Sequence, residues 1–171
     1  MGRAVQLTVA AGLLLLALPP VQAGEAETAI HRHGDAYVIY LPGTLDYQEI
    51  VDRLQTEIMA QNWEVIGVSD IDEGMKQYGQ RTFNKLVLAC KSQYLAQALQ
   101  EDPFISLIIP CRFAVFLEQP ESETQPARIV VGFADPVAEA TAMGISQHQA
   151  AQRATQELLG VLKALAEFYR P

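Results

Sequence analysis

The chain has 171 residues, half of them hydrophobic, with 12 Lys and Arg against 20 Asp and Glu and a formal charge of −8. That field repels nucleic acid and anionic membrane surfaces, whose binders concentrate Lys and Arg on one face. The hydrophobic content, free of low-complexity tracts, excludes a disordered chain and suits a single folded unit.

Met1, Gly2 and Arg3 supply a positive start, and residues 5–18 then run almost wholly apolar around Leu13 to Leu16. The run is short for a bilayer span. Pro19 and Pro20 break it, and Val21, Gln22 and Ala23 have the small-residue spacing that signal peptidase reads. Residues 1–23 are therefore expected to be a signal peptide cleaved after Ala23, giving a periplasmic or secreted protein with no stable membrane anchor. Residues 24–35 lack periodicity and read as a flexible tail, and residues 36–171 read as one domain.

Residues 36–41, rich in β-branched and aromatic side chains, predict a strand ended by Pro42 and Gly43. Asp46 and Glu49 form a capping pattern, and the helix they open carries Tyr47, Ile50, Val51, Leu54 and Ile58 on one stripe, with Glu57 facing water. Residues 63–71 predict a second strand, residues 70–81 a polar loop with a short helical turn, and residues 84–90 a third strand. Ser92 is placed to cap a short helix through Leu99, which Asp102 and Pro103 end. After an apolar run at residues 105–109, residues 111–117 predict a fourth strand. Residues 127–134 predict a fifth, with Ile129, Val131 and Phe133 on one face by alternation. The last helix, about residues 147–169, sets Ala151, Thr155, Leu158, Leu162, Leu165 and Tyr169 on one stripe. The order predicts an α+β fold: an antiparallel sheet with helices packed on one face and a small helix inserted before the fourth strand.

From the third strand onward the chain reads Asn84 to Cys90, then Leu95, Ala96, Ala98 and Leu99, then Asp102 and Pro103, and finally Leu107 to Ile109 followed by Pro110 and Cys111. With Asp135, Pro136 and Met143 beyond, this pattern resembles the DUF302 family, a domain of unknown function. Lys91 and Ser92 stand where that family usually has Asn and Pro, so a helix start is kept and the polar role of the Asn is not. The resemblance implies a single copy of the TATA-binding-protein-like β-α-β4-α arrangement and a homodimer. It imports no DNA binding, because fold does not fix function.

Cys90 and Cys111 are the candidate thiol site. If the third and fourth strands pair antiparallel, the two lie near each other. A bridge would close a loop of about 20 residues and contribute roughly 3 kcal/mol on the chain-entropy model. Inert core thiols and a redox or ligand-binding role stay open beside it. Asn84, Pro110, Asp135 and Pro136 accompany the cysteines as the family-motif residues. Trp63, Tyr78, Tyr94, Phe104 and Met143 are candidates to line a cleft between sheet and helix, suited to a small apolar ligand. His31, His33 and Asp35 have metal-capable groups, but no metal site is assigned, and the cofactor is unknown. Nucleophile, phosphate-loop, zinc-protease and dinucleotide motifs are all missing, so no catalytic residue is named. The functional expectation is a periplasmic binding or accessory module. A thiol-dependent redox or metal-handling protein is the alternative, and a structural domain of an envelope assembly is a further one.

Overall fold

A computed structural model describes residues 29–79, 83–120, 122, 124–146 and 148–170. The expected signal peptide of residues 1–23, with its cleavage after Ala23, lies outside the described residues. The elements are β1 (His31–His33), β2 (Ala36–Pro42), α1 (Tyr47–Ala60), β3 (Glu64–Asp70), α2 (Ile71–Lys76), β4 (Asn84–Cys90) and α3 (Ser92–Glu101). A 3-10 helix (Pro103–Leu107) follows, then β5 (Cys111–Glu118), β6 (Arg128–Ala134), α4 (Pro136–Ala142) and α5 (Gln149–Phe168). Six strands form one sheet in the order β1-β2-β6-β5-β4-β3, with every pair antiparallel. Within it, β2, α1, β3 to β6 and α5 form the expected β-α-β4-α core, and the protein is an α+β fold.

Local chemistry starts and stops these elements where the sequence indicates. The Asp46 carboxylate accepts a 2.8 Å hydrogen bond from Glu49 N and caps α1. Asp102 ends α3 and accepts from Phe104 N at 2.9 Å, opening the 3-10 helix with Pro103 in its first turn. At the end of α1, Asn62 takes a left-handed backbone with φ 57°, which Asn tolerates better than most residues, and this turns Trp63 inward.

The helix stripes meet one face of the sheet. Ile50, Leu54 and Ile58 of α1 and Leu158, Leu162 and Leu165 of α5 are fully buried against Ile39, Val87, Phe113, Val115 and Val131. Each such side chain contributes roughly 1.5–3 kcal/mol of burial. The opposite sheet face, carrying Val38, Tyr40, Leu86, Leu88, Ala114, Phe116 and Val130, has no helix across it among the described residues.

Several sequence expectations are corrected. His31–His33, read as part of the tail, is an edge strand held to β2, with Arg32 donating to Asp135. Glu57, expected in water, is buried because Arg53 pairs with it and also stacks 3.9 Å above the Phe168 ring. Lys91, rather than Ser92, holds the cap position of α3, in extended backbone and without a side-chain cap bond. The seven-residue α4 was not anticipated as a helix.

Candidate functional site

Two features stand out beyond the core: a polar cluster over a small cavity at one end of the sheet, and the open sheet face. The cluster forms where β4 ends and α3 begins. Lys91 at that junction and Tyr94 one turn later point at α5, while the turn at Asn62 delivers Trp63 from the other side. All three meet Glu157. Trp63 Nε1 donates to Glu157 Oε2 at 2.8 Å, Lys91 Nζ donates to the same oxygen at 2.6 Å, and Tyr94 Oη donates to Oε1 at 2.6 Å. Lys91 also donates to the Gln61 carbonyl at 3.1 Å, and the Trp63 and Tyr94 rings meet edge to face at 5.9 Å.

Burial alone would raise the Glu157 carboxyl, but the three donors outweigh it and hold it below the usual glutamate range. The Tyr94 phenol is pushed up, first by its hydrogen bond to that carboxylate and then by burial. The cluster is a satisfied carboxylate clamp that joins α3, α5 and the start of β3.

Behind it lies a cavity of about 40 Å³, walled by Trp63, Ala89, Tyr94 and Ala154 on one side and by Ala98, Ile105, Ile108 and Ala150 on the other. Cys90, Cys111 and Pro136 also border it. Of the five residues expected to line a cleft, Trp63 and Tyr94 are brought together here. Tyr78 is 73% exposed and Phe104 69% exposed, and Met143 follows α4 on the surface; none of the three borders the cavity. Aromatic identity alone did not separate them, because Tyr78 and Phe104 sit in short turns with no opposing layer.

The cysteines are free thiols. Cys111 pairs across the sheet with Ala89, while Cys90 pairs with Glu64. Alternation therefore turns Cys111 toward the core with Phe113 and Val115, and Cys90 toward the open face with Leu86 and Leu88. The antiparallel pairing brings them near, but the one-residue offset gives them opposite faces. Burial, with Glu139 nearby, pushes the Cys111 thiol up to about 12. Cys90 is also raised, by burial and then by Glu64. Reactive thiolates need the opposite environment.

Residues 39–165 match the family described as domain of unknown function DUF302. The chain belongs to that family. It is similar to the crystal structure of an uncharacterized conserved DUF302 protein from Bacillus stearothermophilus, at 17% identity and a TM-score of 0.62, over 81% of this chain and 100% of that one. None of the curated proteins matches it.

The remaining DUF302-motif residues sit at the ends of elements. Asp135 is buried, caps α4 by accepting from Val137 N at 3.0 Å, and accepts from Thr155 Oγ1 at 2.8 Å and Arg32 Nη1 at 3.1 Å. Pro136 occupies the first turn of α4. Pro110 precedes β5 in a cis peptide with Ile109. Asn84, at the far end of β4 from the cysteines, donates its backbone N–H to Asp72. Among the described residues no group of three His, Cys, Asp or Glu could hold a metal ion. No described helix is long and apolar enough to cross a membrane. Glu157, the centre of the clamp, was missed by sequence reasoning; its only signal is a carboxylate on the half-buried flank of an otherwise apolar helix stripe.

The open face forms a groove of about 450 Å³, lined by Val38, Tyr40, Leu86, Ala114, Phe116 and Val130, with His33, Arg112 and Glu118 at its margins. That volume lies in the range of ligand and partner sites, whereas the cavity under Glu157 does not.

Proposed function

We propose that this DUF302 protein is an exported binding or accessory module that works as a homodimer through the open face of its sheet. The groove carries the reading: it is apolar along its floor, half-buried in the single chain and covered by no described helix. Its margins suit a second copy of the same surface. Arg112 and Glu118, paired within the chain to Glu139 and Arg128, lie at opposite ends of the outward face of β5, with Ala114 and Phe116 between them. A two-fold axis through the middle of β5 would set each Arg112 toward the other copy's Glu118, as an isologous interface requires. Export to the periplasm rests on the leader pattern that ends at Ala23.

Light scattering tests the assembly. The mature protein is expected to be dimeric at concentrations on the order of tens of micromolar. Phe116→Glu, which sets a charge in the middle of the face, is expected to give a folded monomer. A wild-type monomer at that concentration, or an unchanged dimer in Phe116→Glu, overturns the proposal.

A further inference from the structure

The hydrophobic interior is divided. One cluster joins the sheet to α1 and α5, and a smaller one gathers Ala98, Ile105, Ala140, Ile145 and Ala150 beneath α3, the 3-10 helix and α4. The cavity lies on the seam: Trp63, Ala89 and Ala154 belong to the large cluster, and Ala98, Ile105 and Ala150 to the small one. Small side chains on both sides leave the seam underfilled.

The element over this seam is weakly held. The ten residues of α3 contribute one buried side chain, Ala98, against nine for α5. The helix has no side-chain cap, no acidic residue in its first turn and no basic residue in its last. Phe104 and Leu107 of the following 3-10 helix are largely exposed. Elements with so few buried contacts open at lower free energy than the whole fold. At its far end the hydrogen bonds from α3 to α5 among the described residues are long, Arg153 Nη1 to Gln97 Oε1 and Ala150 N to Glu101 Oε2, both 3.4 Å, beside the packing of Ala98 with Ala150. Its strong attachment is at the near end, where Lys91 and Tyr94 donate to Glu157 at 2.6 Å. Charge-assisted bonds of this length are the strong ones.

We infer that α3 and the 3-10 helix form a hinged cover, latched by Glu157, over a cryptic site for a small apolar molecule of about the size of benzene or indole, with the Cys111 thiol in its wall. The space of about 40 Å³ between the clusters is too small for such a guest, so the site is completed only as the cover lifts and the two clusters part. Lys91 and Tyr94 then swing away from α5 with the cover, and Trp63, fixed to the main core, remains as an aromatic wall. This site is on the helix side of the sheet and independent of the open face.

Alkylation of Cys111 reports the opening, measured in a Cys90→Ser background so that only one thiol is labelled. Labelling is expected to depend on urea far less steeply than global unfolding does. Glu157→Gln is expected to speed it about tenfold, the factor that corresponds to losing one charge-assisted hydrogen bond. Indole at millimolar concentration is expected to slow labelling. Filling the seam with Ala98→Leu from the cover, or Ala151→Val from α5, is expected to abolish that protection. Labelling that tracks global unfolding in urea, a rate in Glu157→Gln explained by its loss of global stability, or no effect of indole would each overturn the inference.

Discussion

Replacing Asp135 by Ala tests whether this family-motif residue is structural. The carboxylate is buried and bridges three elements: it caps α4 through Val137 N, takes the Thr155 hydroxyl of α5 and takes Arg32 of β1. Losing an N-cap costs about 1 kcal/mol. Losing the buried bond from Thr155 adds about 1 kcal/mol, limited because that hydroxyl keeps its 3.0 Å bond to the Ala151 carbonyl. Arg32 is half exposed and is left out of the sum. The expected loss is therefore about 2 kcal/mol, or roughly 4–8 °C in Tm for a domain of this size. Urea denaturation of Asp135→Ala, Asp135→Asn and Thr155→Val measures it. Asn caps a helix as well as Asp, so Asp135→Asn should lose less than about 1 kcal/mol. A cycle with Thr155→Val should return a coupling of about 1 kcal/mol. A loss below about 0.5 kcal/mol in the Ala variant, or an equal loss in Asn and Ala, would refute the reasoning.

Three further outcomes follow from the same contacts. Because the Glu157 carboxyl is held low, its stabilisation is fully present above the unfolded glutamate value of about 4.3 and is lost as pH falls through the lower folded value. Urea titrations at acid pH should show a shallower fall for Glu157→Gln than for wild type, and parallel curves would contradict the clamp. In the native protein at pH 8, Cys90 should alkylate well before Cys111, whose thiol is pushed up to about 12, and peptide mapping showing equal rates would contradict the sheet register. Leu158→Ala, at a fully buried position between helix and sheet, should cost about 2–5 kcal/mol in urea denaturation. A smaller cost would place α5 off the core.

How much of this was legible in the sequence depended on distance along the chain. Alternation in Ile129, Val131 and Phe133 gave β6 its buried face, and the stripe from Ala151 to Leu165 gave α5 its packing side, because each pattern is written within one element. Caps at Asp46 and the stop at Asp102 are equally local. β1 and α4, with 3 and 7 residues, are too short to show a period and are held by partners such as Asp135.

The order of the longer strands and helices, the α+β class and the family-motif residues are written along the chain, because each rests on a local pattern. Which sides the cysteines face depends on strand pairing, because a one-residue offset between β4 and β5 reverses a side chain's direction and nothing local encodes it. The tertiary structure alone gathered Trp63, Lys91 and Tyr94, which lie 94, 66 and 63 residues from Glu157, onto one carboxylate. It also showed that the larger apolar concavity is on the open face of the sheet rather than between sheet and helix. Local patterns say that a face is apolar; what covers it depends on how the layers stack.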